Sequence, residues 1–330
     1  MIINIKCEEQ TMKNGILNEL ITVMKERVPK GQNLASNLAD ILCMGKEAVY
    51  RRLRGEVSFS IEEVAIISHK LGISIDQVVG DHHSNKVTFD LNLHHSSNAI
   101  DSYYEILNRY LQIFDFVKED NSTEIYTASN LLPFTLYSSF ENLSKFRLSR
   151  WIYQHGQIKT PHSLEDMRVE KKIVQAHKKL SESVKQCPKT FFIWDTSIFY
   201  SFVNEIKYFA SLHMITLNDV ENLKEELYQL LTYIETLSSK GEFSEGRKVY
   251  FYLSNINFEA TYSYIEKLNY QISLLRIYSI NSMDSQSPHI CQMQRDWILS
   301  LKRHSTLISE SGEAQRIIFL QNQKSIIHTL

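Results

Sequence analysis

The sequence predicts a mainly α protein, α+β overall, with a five-helix N-terminal domain and a large, mostly helical domain carrying a small antiparallel sheet. Three observations predict this. Between residues 16 and 80, short apolar-periodic runs alternate with capping pairs and helix-stopping Gly or Pro. Between 99 and 237, apolar stripes at spacings of three and four extend over much longer runs. From Lys248 the period changes: VYFYLSNINFEATYSYIEKLNYQISLLRIYSI is rich in Tyr, Ile and Val and broken by turn candidates.

The N-terminal elements follow in order. Residues 1–14 read as a loose arm. A helix over about 16–28 carries Leu17, Leu20, Ile21 and Met24 on one face, and Pro29 and Gly31 end it. Residues 38–55, LADILCMGKEAVYRRLRG, read as a helix, a tight turn and a second helix. Leu38, Ala39, Ile41 and Leu42 give the first a buried face, and Val49 and Leu53 anchor the second. Lys46, Glu47, Tyr50, Arg51 and Arg54 then point away from that core. These are long hydrogen-bonding side chains for base edges and cations for phosphates, as a helix in a DNA major groove needs. Ser60 with Glu63 forms a capping box before the Ile61 to Leu71 helix, which Gly72 stops. Ser74 with Gln77 repeats the pattern before Val78 and Val79.

Residues 16–80 resemble the Cro/phage-repressor type of helix-turn-helix domain. The string of Leu-Ala, two variable residues, Leu, turn, recognition helix and Gly runs without gaps from Leu38 to Gly55, and ISIDQVV at 73–79 matches the closing helix of that family. The resemblance covers about a fifth of the chain. It implies a five-helix domain whose third helix, about 46–53, enters the major groove. It also implies that Lys46, Glu47, Tyr50 and Arg51 face bases and that Arg54 lies near the backbone. This sequence departs from the family at three places. Cys43 stands where the turn often has Gly, and Leu34 and Ala35 replace a polar pair that often touches DNA. Arg52 occupies a usually apolar position, where it is expected to lay its stem on the core and pair with Asp40 or Glu63. Lys30, Gln32 and Asn33 are then the nearby candidates for phosphate contact.

Charge alone does not mark a nucleic-acid binder. The 330 residues carry a formal net charge of −2, and residues 1–80 balance ten Lys and Arg against ten acids. The cations are concentrated locally instead, since Lys46, Arg51, Arg52 and Arg54 face only Glu47 in that stretch. No apolar run approaches the ~18 residues of a membrane helix. The N-terminus lacks an apolar core followed by a cleavage site, so the expected address is the cytoplasm. Four scattered cysteines fit reduced thiols, with Cys43 expected as a small buried hydrophobe.

Beyond a polar linker at 81–86, the large domain is expected over 87–330. Residues 87–93 alternate as a half-buried strand, with Val87, Phe89, Leu91 and Leu93 on one side. Helical patterns follow at Ala99 to Val117, at Glu124 to about Tyr153 with a bend near Pro133, and at Glu165 to Ser183. A helix pair follows at Ile198 to Met214 and Asp219 to Leu237, with Asn218 as the cap of the second. Strands are expected at about 249–256, 259–266 and 270–280, then a loop over 282–288 and a helix from Ile290 to Lys302. Ser311 is expected to cap a last helix.

Enzyme signatures are missing: the chain has no GxGxxG, GxxxxGK[ST], HExxH or GxSxG, so neither catalysis nor a cofactor is expected. His82, His83, His94 and His95 form the one histidine cluster, and they fit a polar linker better than a metal site. The basic stretch from Arg168 to Lys179 fits a solvated helix face, and the aromatic runs at 191–194 and 250–252 fit core. The expected function is a cytoplasmic, repressor-like transcriptional regulator that binds double-stranded DNA as a homodimer. Its large domain would dimerise, sense an unknown small-molecule or protein effector, or both. The competing expectation is a protein-interaction module whose N-terminal bundle docks a protein.

Overall fold

The chain divides into two units, residues 1–88 and 89–330. A computed structural model describes residues 15–25, 27–28, 33–71, 73, 75, 78, 89–91, 98–155, 163–268 and 270–330.

In the first unit, residues 15–25 form α1, followed by α2 (Leu34–Leu42), α3 (Lys46–Leu53) and α4 (Ile61–Leu71). Leu20, Met24, Leu38, Val49 and Ile67, one or two from each helix, make a common core in which none is more than 5% exposed. Their spacing along each helix is what turns one side of it inward. Of the closing helix expected over 73–79, only Ile73, Ile75 and Val78 are described; Ile73 and Val78 join that core.

The second unit corrects the expected fold class. Its elements begin with β1 (Asp90–Leu91), α5 (Ala99–Val117), β2 (Glu124–Ser129), α6 (Phe134–Tyr137), α7 (Glu141–His155) and α8 (Lys171–Lys185). Next come β3 (Lys189–Asp195), α9 (Tyr200–Ser211), α10 (Leu217–Lys240), β4 (Glu242–Ser244) and β5 (Arg247–Ser254). The chain ends with β6 (Tyr262–Lys267), β7 (Tyr270–Ile277), β8 (Asn281–Ser285), α11 (Pro288–Arg303), β9 (Ser305–Leu307) and α12 (Glu313–His328). All nine described strands join one sheet, ordered β1-β8-β7-β6-β2-β3-β5-β4, with β9 also paired to β5. The sheet is large and mixed rather than small and antiparallel. A mainly α description does not fit it.

Parallel pairing at the centre is the reason. β2 runs parallel to β3, with Tyr126 opposite Phe191, and β3 runs parallel to β5, with Phe191 opposite Tyr250. Parallel neighbours need long crossovers; α6, α7 and α8 supply the first, and α9 and α10 the second. Such strands are covered on both faces and so lack a polar side. One face presents Ile125, Phe192, Trp194 and Phe251 to the main helical core. The other presents Tyr126, Phe191, Ile193 and Tyr264 to Ile298 and Leu301 of α11.

Several local expectations are corrected as well. Residues 124–129, expected as helix, are the central strand β2, and the aromatic run at 191–194 is β3. The third helix of this region starts at Lys171 rather than Glu165. Residues 281–285 are a strand, not a loop. Strand β5 pairs with β3 and not with β6. Of the strand expected over 87–93, only 89–91 are described. Asp90 and Leu91 pair with β8 at the sheet edge, but both are exposed. Thr216, not Asn218, caps α10: its hydroxyl accepts from the Asp219 amide while Asp219 accepts from the Thr216 amide. Gly312, not Ser311, precedes α12. Among the described residues, no helix is long and apolar enough to cross a membrane.

Candidate nucleic-acid interface

The turn between α2 and α3 sets the direction of α3. Asn33 caps α2 with its side-chain oxygen, accepting from the Ala35 amide at 2.8 Å and the Ser36 amide at 3.3 Å. The carboxamide oxygen is therefore committed to the helix end, where it satisfies amides with no intrahelical partner, and the Nδ2 amide is the group left to donate to a phosphate. Lys30 and Gln32 lie outside the described residues. At the other end Cys43 adopts φ 51°, ψ 43°, the left-handed conformation usually taken by Gly. Its thiol is exposed, not buried as the composition suggested. Gly45 then opens α3 with extended backbone.

Helix α3 divides cleanly into two sides. Val49 is fully buried and Leu53 packs on the same core. Lys46, Glu47, Tyr50, Arg51 and Arg54 are all exposed, so the five expected reading residues share the solvent side of one anchored helix. Arg52, in the usually apolar place, lies at the boundary. Its guanidinium donates to both carboxylate oxygens of Glu63, at 2.9 and 2.7 Å, and to the Ala48 carbonyl at 3.2 Å. Glu63 also accepts from the Ser60 amide at 3.0 Å and gives its own amide to the Ser60 hydroxyl at 3.2 Å. One carboxylate thus closes the capping box of α4 and holds the end of α3.

The helix stops in a Schellman turn, in which the Glu56 amide donates to the Arg51 carbonyl and the Gly55 amide to the Arg52 carbonyl, both at 2.9 Å. Gly55 has φ 74°, and a methyl there would come within 3.2 Å of the Leu17 side chain. Gly55→Ala should therefore cost the first unit about 1–2 kcal/mol, read as a lower chemical-denaturation midpoint. Cys43→Gly should shift stability the other way, by up to about 1 kcal/mol, because it relieves the same conformation in the turn before α3. A midpoint lowered by Cys43→Gly would refute this account of the turn.

This stop folds Glu56, a residue the motif did not single out, back toward α3. Arg54 donates to Glu56 at 2.6 Å and to Glu47 at 3.3 Å, and Arg51 lies 3.6 Å from Glu56. Glu47 thus pairs with Arg54 and not with Arg51. Arg54 keeps the Glu56 carboxyl below the usual carboxylate range. All four side chains are about half exposed or more, so these pairs are worth little in water and a phosphate can replace them. Lys46 makes no ion pair among the described residues. The usable signal for Glu56 was its place just past Gly55, where a Schellman turn reverses the chain.

The Arg52–Glu63 pair makes a pH prediction. The Arg52 hydrogen bonds hold the Glu63 carboxyl below its ordinary 4.5. A carboxylate with a lowered folded-state pKa stabilises above its unfolded value and loses that contribution as the pH falls through the folded value. Glu63→Gln should lower the melting midpoint of the first unit by several degrees at pH 7. The gap to the parent should close as the pH drops below about 4.5. Parallel curves across that range would refute it.

His82, His83, His94 and His95 lie outside the described residues, and no described group of His, Cys, Asp and Glu could hold a metal. On α8 Lys171, Lys178 and Lys179 are exposed, while Lys172 pairs with Asp101 at 2.8 Å. Comparison with known protein families, curated proteins and solved structures finds no match for the chain.

Proposed function

We propose that this protein is a sequence-specific, DNA-binding transcriptional regulator of the cytoplasm. The observation that supports the reading most is the two-sided α3, with Val49 buried and Lys46, Glu47, Tyr50, Arg51 and Arg54 exposed together. In this reading Lys46 and Arg51 donate to purine edges in the major groove, Glu47 accepts from cytosine, and Arg54 releases its carboxylates to meet a phosphate. A single short reading helix contacts few base pairs. The regulator therefore works as a homodimer on two half-sites, about one helical turn apart or a multiple of it. The large unit is its regulatory and dimerising part.

A protein-docking role for the first unit is the second reading. It is favoured by Glu56 and Glu47, which neutralise Arg51 and Arg54. One experiment separates the two: selection of bound duplexes from a random pool by the full chain at near-physiological salt, followed by a salt titration of the winner. Enrichment of a two-fold symmetric site whose affinity falls steeply with salt supports the regulator. With folded protein, no enrichment, or binding indifferent to salt, overturns it.

A further inference from the structure

The large unit holds a cleft outside the carboxyl ends of β2 and β3, where open α/β sheets commonly bind ligands. It has a polar outer chamber of about 340 Å³, bordered by Asn130, Tyr137, Arg150, Glu205, Glu259 and Tyr278. Behind it lies an apolar inner chamber of about 80 Å³, between the sheet and α5 and α8, lined by Ile106, Phe114, Ile125, Phe192 and Leu274. Arg147, Thr261 and Arg276 line both chambers and mark where they meet.

The charges at this junction are unbalanced. Arg147 is 7% exposed. Its Nη1 donates to the Tyr137 hydroxyl at 2.9 Å, its guanidinium sits 4.4 Å from the centre of the Phe134 ring, and its Nε has no partner. Neither Arg147 nor Arg276 has a carboxylate partner among the described residues. Arg150 is neutralised by Glu205, and Glu259 is exposed at the rim. Burial, with Arg147 and Arg150 close by, holds Arg276 below its ordinary pKa. Two guanidinium groups thus repel each other at the mouth of an apolar hole. A buried cation without a counter-ion is costly, and an anion accepting from both would supply what the protein lacks. Arginine forks match the planar or tetrahedral oxygens of carboxylate and phosphate. The chamber behind is roughly half the size of a cavity that takes up benzene, so it suits a short hydrocarbon end.

We propose that this cleft binds a small organic anion with a short apolar tail. The head group bridges Arg147 and Arg276, and the tail enters the chamber over Ile125 and Phe192. This stands independently of DNA binding, and it gives the large unit a ligand of defined chemistry.

The test is calorimetric titration of the full chain with four probes: hexanoate, hexyl phosphate, inorganic phosphate and hexanol. At least one tailed anion should bind ten times or more tighter than hexanol and inorganic phosphate. Whether hexanoate or hexyl phosphate is preferred identifies the head group. Arg276→Gln should weaken the tailed anion at least tenfold. Thr127 also lines the inner chamber, and Thr127→Leu, which adds bulk there, should weaken the anion while leaving the thermal midpoint close to the parent's. Hexanol binding as well as either anion, inorganic phosphate binding as well as hexyl phosphate, or no binding by folded protein would each overturn the proposal. Binding unaffected by both variants would place the anion elsewhere and overturn it too.

Discussion

Trp194→Ala should cost the large unit about 3–5 kcal/mol, seen as a fall of roughly 6–20 °C in its melting midpoint. Trp194 is fully buried on β3, the middle strand of the parallel core. Its ring centre lies 4.8 Å from that of Phe251 on β5, 5.6 Å from Phe192 and 6.2 Å from Phe319 on α12. Removing it leaves a void touching two strands and the last helix. The indole N–H has no hydrogen-bond partner, so Trp194→Phe, which keeps an aromatic ring and deletes the orphan donor, should fall much less. A loss under ~1 kcal/mol for the alanine variant would show that the aromatic layer is not where the stability lies.

The second large effect concerns α3. Arg51→Ala should weaken the best selected duplex by roughly 5- to 150-fold, equivalent to about 1–3 kcal/mol, and relax the preference at one base position. Arg54→Ala should weaken all sequences alike and reduce the salt slope by about one. The ion pairs with Glu56 add a prediction of opposite sign. In the regulator proposed above, Glu56→Gln removes a negative charge that both arginines would give up on meeting DNA, so it should tighten binding. Affinities measured on the selected duplex and on a scrambled one decide the matter. If both arginine variants bound every duplex like the parent, α3 would not be the reading element.

The first unit was legible in the sequence because its signals are local. Each helix buries residues three or four apart, and caps such as Ser60 with Glu63 operate within one turn. The exposed set on α3 followed directly from the burial of Val49. Asn33 shows the limit, since an amide next to a motif reads equally well as a phosphate ligand or a cap. Glu56 was hidden for a related reason: its role depends on a chain reversal beyond the helix that it serves. The large unit was harder to read. Parallel strands covered on both faces lose the alternation that marks a strand, so Glu124–Ser129 blended into neighbouring helical patterns and Phe191–Trp194 read as undifferentiated core. The cleft was invisible, because Arg147 and Arg276 lie on α7 and β7 and are brought together only by the sheet order.

The sheet order also dictates how the protein must come into being. Ile125 of β2 lies between Thr190 of β3 and Ile265 of β6, so the central strand meets neither partner until long stretches of chain have been made. The helices of the first unit close over short spans and can form on microsecond-to-millisecond timescales. The large unit must wait for contacts of high sequence separation, which slow folding by orders of magnitude. During synthesis the first unit should therefore be complete while β2 still presents Ile125, Tyr126 and Ala128 unpaired. The aromatic strands that make the finished core stable are, for those seconds, its most aggregation-prone surface.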